Sequence, residues 1–214
     1  MPLFQHRPFD EGRGVVAIWH MTESEEELMA PLPNGDALLE EARGRFKAAG
    51  RRLEWLSVRR LVHELGITSP IAYLPSGRPY LKDDERRISI SHTRGYAAVA
   101  LHTDSPVGLD IEQRTDKVWR VKDKFLSHEE KLFLPSEKKN VEPMLVIWTV
   151  KEALFKLVDK PGVDFAEHFH VSPFEAEEVE SLVAHETFTD ERRKFSFSCQ
   201  IYPDFVLSVG LPLG

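Results

Sequence analysis

The chain has 214 residues, about one and a half times a common domain length, and its 42% apolar and 29% charged residues are those of a globular protein, not a disordered or fibrous one. Its 28 Lys and Arg against 35 Asp and Glu leave a net charge of -7, which argues against a general binder of nucleic-acid backbones, since that role needs a basic surface. The single cysteine, Cys199, rules out an intrachain disulfide and a Cys-rich zinc cluster and makes the cytoplasm the expected compartment; Met1 to Asp10 lacks a signal-peptide pattern, and the longest apolar run, Gly14 to Trp19, is too short to span a bilayer.

In chain order, Gly14 to Trp19 is β-branched and glycine-bounded and reads as a strand, and Thr22 to Glu25 has capping-box spacing for a helix start. Asp36 to Leu65 has a helical pattern broken near Gly50, giving two consecutive helices ended by Gly66 to Pro70. Ile88 to His92 alternates, Arg94-Gly95 offers a turn, and Tyr96 to Leu101 completes a hairpin. Val107 to Glu112 reads as a strand, Ser127 to Glu130 as another capping box, Met144 to Asp159 as a helix, and strands are expected near Phe169, Glu186, Phe195 and Phe205.

The second half repeats the order of the first. The letters agree in places: Ile88-Ser-Ile-Ser-His-Thr-Arg-Gly-Tyr96 parallels Phe195-Ser-Phe-Ser-Cys-Gln-Ile-Tyr202, and Trp55-x-x-x-Arg59 parallels Trp148-x-x-Lys151. The expected fold is α+β and pseudo-duplicated, two similar halves each with an antiparallel sheet packed against helices. The expected domains are 1–104 and 105–214. Chance similarity between amphipathic strands is the competing explanation of the repeat.

Several residues stand out chemically. The strand period of two puts Gly108, Asp110 and Glu112 on one face and Val107, Leu109 and Ile111 on the other. Adjacent carboxylates repel, and a hard divalent cation such as Mg2+ offsets that repulsion; an acidic edge strand facing water is the alternative. On the helix of residues 144–159 the apolar stripe is Ile147, Val150, Leu154, Leu157 and Val158, with Glu152 and Lys156 together off it. These two are either a third metal ligand and a phosphate contact, or a solvated i, i+4 pair. His92 falls at a strand end, Arg51-Arg52 and Arg59-Arg60 put charge on one helix, and Gly77-Arg78-Pro79 holds a cation in a turn, which together give local capacity for anions. Lys138-Lys139, Arg86-Arg87 and Glu191 to Lys194 read as solvated surface, and no Walker or Rossmann glycine loop is present.

The combination of Ser91-His92, Val107-Gly-Leu-Asp110-Ile-Glu112 and, about forty residues on, Trp148-x-x-Lys151-Glu152-Ala-x-x-Lys156 resembles the 4'-phosphopantetheinyl transferase superfamily, in its two-domain branch that activates peptide synthetases. The resemblance covers roughly Val15 to Leu211. It implies an enzyme that moves the 4'-phosphopantetheine arm of coenzyme A to a serine of an apo acyl or peptidyl carrier protein, releasing adenosine 3',5'-bisphosphate. It implies Mg2+ held by Asp110, Glu112 and Glu152, with Glu152 also a candidate base for the serine and Lys156 stabilising charge at the pyrophosphate. It implies that Arg52, Arg78 and His92 in the N-terminal half grip coenzyme A, while the C-terminal half carries the metal site and catalytic helix. The family's upstream basic residues have no clear counterpart, with Arg43, Arg45 and Lys47 as candidates. A monomer without nucleic-acid or membrane partners is expected. The rival readings are a Mg2+-dependent phosphohydrolase on the same carboxylates and a silent module that binds coenzyme A or a carrier protein.

Overall fold

Gly14-Val-Val-Ala-Ile-Trp-His, β-branched and apolar, forms strand β2 (Gly14–His20), paired antiparallel to β1 (Leu3–Phe9). A computed structural model of the chain describes residues 2–134, 141–175 and 178–214, so Lys138-Lys139 lies outside the described residues. The chain divides into two compact units, Met1–Asp104 and Ser105–Gly214. Each holds an antiparallel sheet packed against helices, so the architecture is α+β.

In the first unit β2 leads into α1 (Glu25–Met29), α2 (Gly35–Arg45) and α3 (Ala49–Glu64). A small hairpin, β3 (Ile71–Tyr73) with β4 (Pro79–Leu81), precedes the longer hairpin of β5 (Arg87–Thr93) and β6 (Tyr96–His102). The sheet order is β1-β2-β6-β5, so β6 returns to lie beside β2. The two-residue turn between β5 and β6 places Gly95 at φ +82°, a left-handed backbone that glycine adopts without a Cβ penalty. The core forms where Leu56, Val58, Leu61 and Val62 of α3 meet Ala17 and Trp19 of β2 and Ala97, Val99 and Leu101 of β6. Leu56 and Leu61 are fully buried, each contributing about 1.5–3 kcal/mol by leaving water.

Two local expectations are corrected. The first capping box is made by Ser24 and Glu27, not by Thr22 and Glu25. Met21 is still tied to the Gly95 carbonyl and Thr22 to that of His20, so the chain turns into a helix only after them. The break between α2 and α3 falls at Phe46 to Ala48, where Phe46 and Ala48 are extended, and Gly50 sits inside the first turn of α3. Arg52 fixes that break by donating to the carbonyls of Phe46 (3.2 Å) and Lys47 (2.9 Å).

The second unit begins with β7 (Gly108–Gln113), followed by α4 (Lys117–Val121), α5 (His128–Phe133), the long α6 (Glu142–Val158) and α7 (Phe165–His168). Strands β8 (Phe169–Val171), β9 (Leu182–Glu186), β10 (Lys194–Ile201) and β11 (Phe205–Pro212) complete it. The sheet order is β7-β11-β10-β9-β8, so the last strand again lies beside the first. The apolar stripe of α6 is buried as its spacing requires, against Phe169, Phe195, Phe197 and Val206. Asp159 ends α6 in the left-handed conformation. Ser127 and Glu130 form the expected capping box at α5. No helix among the described residues is long and apolar enough to cross a membrane.

The two units share a plan: a strand, a long helix, and a final hairpin whose last strand inserts beside the first. In that plan β2, α3, β5 and β6 correspond to β7, α6, β10 and β11. The similar letters of residues 88–96 and 195–202 fall on β5 and β10, and the two tryptophan motifs fall on α3 and α6. The units differ at their margins, with β1 added outside β2 in the first and β9 and β8 added beyond β10 in the second.

Candidate functional site

The acidic site is built where α6 crosses β7, and its geometry depends on a missing side chain. A Cβ on Gly108 would stand 2.2 Å from the Ala153 carbonyl oxygen and 2.8 Å from Leu157 Cγ. Glycine at this position lets the helix backbone come against the strand. We expect Gly108→Ala to lower stability by about 2 kcal/mol, read as a lower urea midpoint, because the clash is with backbone that cannot rotate away. An unchanged midpoint would show that the approach is not tight.

Asp110 and Glu112 follow Gly108 on the same face of the strand, and Trp148, Glu152 and Lys156 follow one another at four-residue spacing along α6. The two rows meet. The Lys156 ammonium donates to the Leu109 carbonyl (2.6 Å) and to Asp110 Oδ1 (3.0 Å), and Trp148 Nε1 donates to Glu112 Oε1 (3.1 Å). Although β7 is an edge strand of its sheet, its acidic residues are not a solvated rim: Asp110 is 5% exposed, and Leu109 and Ile111 on the opposite face are buried too. Glu152 and Lys156 are likewise half-buried, so the pair is not the open surface pair that its spacing also allowed.

The electrostatics follow from this crowding. Burial, then the Asp110 charge, pushes the Glu152 carboxyl up to about 7, against the pull of Lys156. Burial and the Asp110 charge also raise Glu112, opposed by the Trp148 hydrogen bond. Asp110 and Glu112 both act on Glu152, so the three carboxylates share one electrostatic site. As the side chains stand, no three carboxylate, imidazole or thiol groups among the described residues are grouped to hold a metal ion. The Lys156 ammonium rests against Asp110 instead.

The same helix is anchored by a buried ion pair whose role the spacing did not announce. Lys151 Nζ donates to Glu130 Oε2 (2.6 Å) and to the carbonyls of Phe125 (2.6 Å) and Phe165 (3.0 Å). Glu130 in turn accepts from the backbone N–H of Ser127 and of Val171, both at 2.8 Å. Burial pulls the Lys151 ammonium down and the Glu130 charge opposes it. Lys151 therefore fixes the rotation of α6 and with it the side on which Glu152 and Lys156 emerge. The capping-box role of Glu130 was legible in the sequence; its second role as a counter-ion 21 residues away was not. A further polar link, Thr149 Oγ1 with Ser208 Oγ at 2.6 Å, ties α6 to β11.

In the first unit, Arg78 lies in the turn before β4 and His92 near the end of β5. Arg52 does not face His92: its Nε donates to Glu25 Oε1 at 2.8 Å, which locks α1 to α3. Its neighbour Arg51 does, with Nη1 3.5 Å from His92 Nε2, and Glu54 accepts from Arg51 at 2.9 Å while lying 3.6 Å from His92 Nδ1. Two adjacent arginines cannot be told apart by type, and only the helix rotation separates them.

The second unit, with two carboxylates on an edge strand facing a glutamate and a lysine on its long helix, is similar to a described class. Residues 106–209, just under half of the chain, match the family model of the 4'-phosphopantetheinyl transferase superfamily, so the second unit is similar to that superfamily. Among curated proteins the chain is similar to the 4'-phosphopantetheinyl transferase gsp of Aneurinibacillus migulanus, at 29% identity over 86 residues, covering 39% of this chain and 35% of the relative. The chain thus matches about a third of the length of that relative. The resemblance carried by Asp110, Glu112, Trp148, Lys151, Glu152 and Lys156 holds at the level of the superfamily.

Proposed function

We propose that the chain transfers the 4'-phosphopantetheine group of coenzyme A to the serine hydroxyl of an apo acyl or peptidyl carrier protein and releases adenosine 3',5'-bisphosphate. The observation that carries this reading is the meeting of Asp110 and Glu112 with Glu152 and Lys156 inside the stretch that matches the superfamily. In the proposed step the serine oxygen bonds to the phosphorus that bears the pantetheine arm, the pyrophosphate P–O bond breaks, and the nucleotide leaves with the bond electrons. The serine proton goes to Glu152. In the metal-free chain this carboxyl is pushed up to about 7, and a base near neutrality is well matched to taking a proton; bound Mg2+ would lower it. Lys156 brings a fixed positive charge toward the pyrophosphate oxygens.

Mg2+ fits the donor set by hardness and charge: Asp110, Glu112 and Glu152 offer only carboxylate oxygens, and their mutual repulsion is what a divalent cation offsets. We assign these three residues to hold it. When bound, the ion supplies charge neutralisation at the pyrophosphate.

Coenzyme A is gripped, on this reading, by Arg78 and His92 of the first unit. Arg52 is committed to Glu25 and to two carbonyls, so we place Arg51, beside His92, in the binding role and leave Arg52 to hold α1. Arg51→Ala should raise KM for coenzyme A about ten-fold with little change in Tm, the scale of one lost charged contact. Arg52→Ala should mainly lower Tm. The reverse pattern would return Arg52 to the ligand.

The test of the whole reading is intact-mass spectrometry of apo carrier proteins incubated with the chain, coenzyme A and Mg2+, with EDTA as control. A metal-dependent gain of one phosphopantetheine is expected. Nucleotide release without a carrier would instead make the chain a phosphohydrolase. Coenzyme A binding with no gain on any carrier would make it a silent binding module. We further propose a monomer working in the cytoplasm, where the buried thiol of Cys199 stays reduced; sedimentation as an obligate oligomer would overturn the first point.

A further inference from the structure

The first unit holds a cavity of about 290 Å3 that the proposed transfer does not use. It is lined by residues of α2, the middle of α3 and the segment between α3 and β3. Leu38, Val62 and Ile71 give it apolar walls, Trp55 adds ring surface, and Arg59, one turn on along α3, gives it a donor. The Trp55 indole N–H is buried and has no hydrogen-bond acceptor among the described residues, although Trp55 is only 8% exposed.

Arg59 is equally unusual for a helix-surface arginine. Its guanidinium lies 3.3 Å from the centre of the Trp55 ring, and it donates to the Trp55 carbonyl at 3.1 Å. Tyr73 is its other hydrogen-bond partner among the described residues, while Glu41 and Arg45 act on its charge from farther away with opposite signs. A guanidinium has five N–H donors in a planar fork. Two acceptors leave most of that fork for a ligand, and the guanidinium is half-buried against the Trp55 ring.

We propose that this cavity binds a small carboxylic acid with an apolar body, such as an arylacetic acid. The carboxylate sits on Arg59 beside the Trp55 ring, and the body lies against Leu38, Val62 and Ile71. Charge limits the choice: one guanidinium with Glu41 nearby suits a single negative charge, not a phosphate dianion. Size limits it as well. A cavity of about 150 Å3 accepts benzene, and this one is close to twice that, room for a ring and a short acid arm.

The experiment is a titration of the 15N-labelled chain with phenylacetate and, separately, with neutral phenylacetamide. The Trp55 indole N–H resonance is assigned by its loss in Trp55→Phe. Phenylacetate is expected to shift that resonance saturably, phenylacetamide to bind about ten-fold more weakly, and Arg59→Gln to reduce the acid to the affinity of the amide. No saturable shift with phenylacetate, equal binding of acid and amide, or full affinity in a folded Arg59→Gln variant would each overturn the proposal. Should Arg59→Gln fail to fold, the comparison of acid with amide on the unaltered chain decides alone.

Discussion

Glu152→Gln is expected to make the metal-free protein more stable above pH 7 and, on the proposed function, to remove carrier-protein modification. Folding raises the Glu152 carboxyl from its ordinary value of 4.5 to about 7, through burial and the Asp110 charge. The folded chain therefore holds this proton more tightly than the unfolded one. Below about pH 4.5 the carboxyl is protonated in both states and costs nothing. Between 4.5 and 7 the unfolded state loses its proton first, so stability falls as pH rises, and above 7 the penalty is constant. A shift of this size corresponds to about 3 kcal/mol. Urea midpoints of the wild-type chain should fall across that window and those of Glu152→Gln should stay flatter, the curves converging in acid. Mg2+ should restore wild-type stability at pH 8 and do less for the variant. Parallel pH profiles for the two proteins would show that Glu152 is not the strained carboxyl.

Lys151→Met should cost more than any surface change in the second unit. It leaves Glu130, 1% exposed, with a buried charge and no cation, an arrangement that costs about 3–5 kcal/mol. It also removes the donor that serves the carbonyls of Phe125 and Phe165. Adding Glu130→Gln removes the stranded charge, so the double variant should regain part of the loss in a denaturation series. Strictly additive losses would mean that the charge pairing is not the cause. Because α6 also carries Glu152 and Lys156, the single variant should, on the proposed function, lose transfer activity in proportion to its loss of folded protein.

The residue pattern anticipates the elements whose signals are local. The Ser127 capping box, the apolar stripe of α6, the β5–β6 hairpin with Gly95 and the strand of Asp110 and Glu112 all depend on residues within a few positions of one another. The errors have tertiary causes. The Thr22 box yields to backbone bonds that Met21 donates to the Gly95 carbonyl and Thr22 to that of His20, and the expected break at Gly50 moves to where Arg52 reaches back to Phe46 and Lys47. At the site, the period of two placed the carboxylates on one face, but could not say that this face is covered by α6 instead of water. That depends on Gly108, whose meaning becomes visible only with Ala153 opposite it. The Arg51 and Arg52 assignment was beyond the sequence for a similar reason, since a rotation of one residue around α3 decides which reaches His92.

The position of β7 also bears on when the protein acquires its chemistry. Within its sheet this strand pairs with β11, with Asp110 opposite Ser208, so its partner is synthesised after every other strand of the unit. Pairing across so long a stretch of chain carries a large loop-closure cost. A nascent or C-terminally nicked chain can carry Asp110, Glu112, Glu152 and Lys156 and still have no strand to hold the first two against the helix. Assembly of the acidic site is thereby coupled to completion of the domain, so an unfinished chain carries its residues without their geometry.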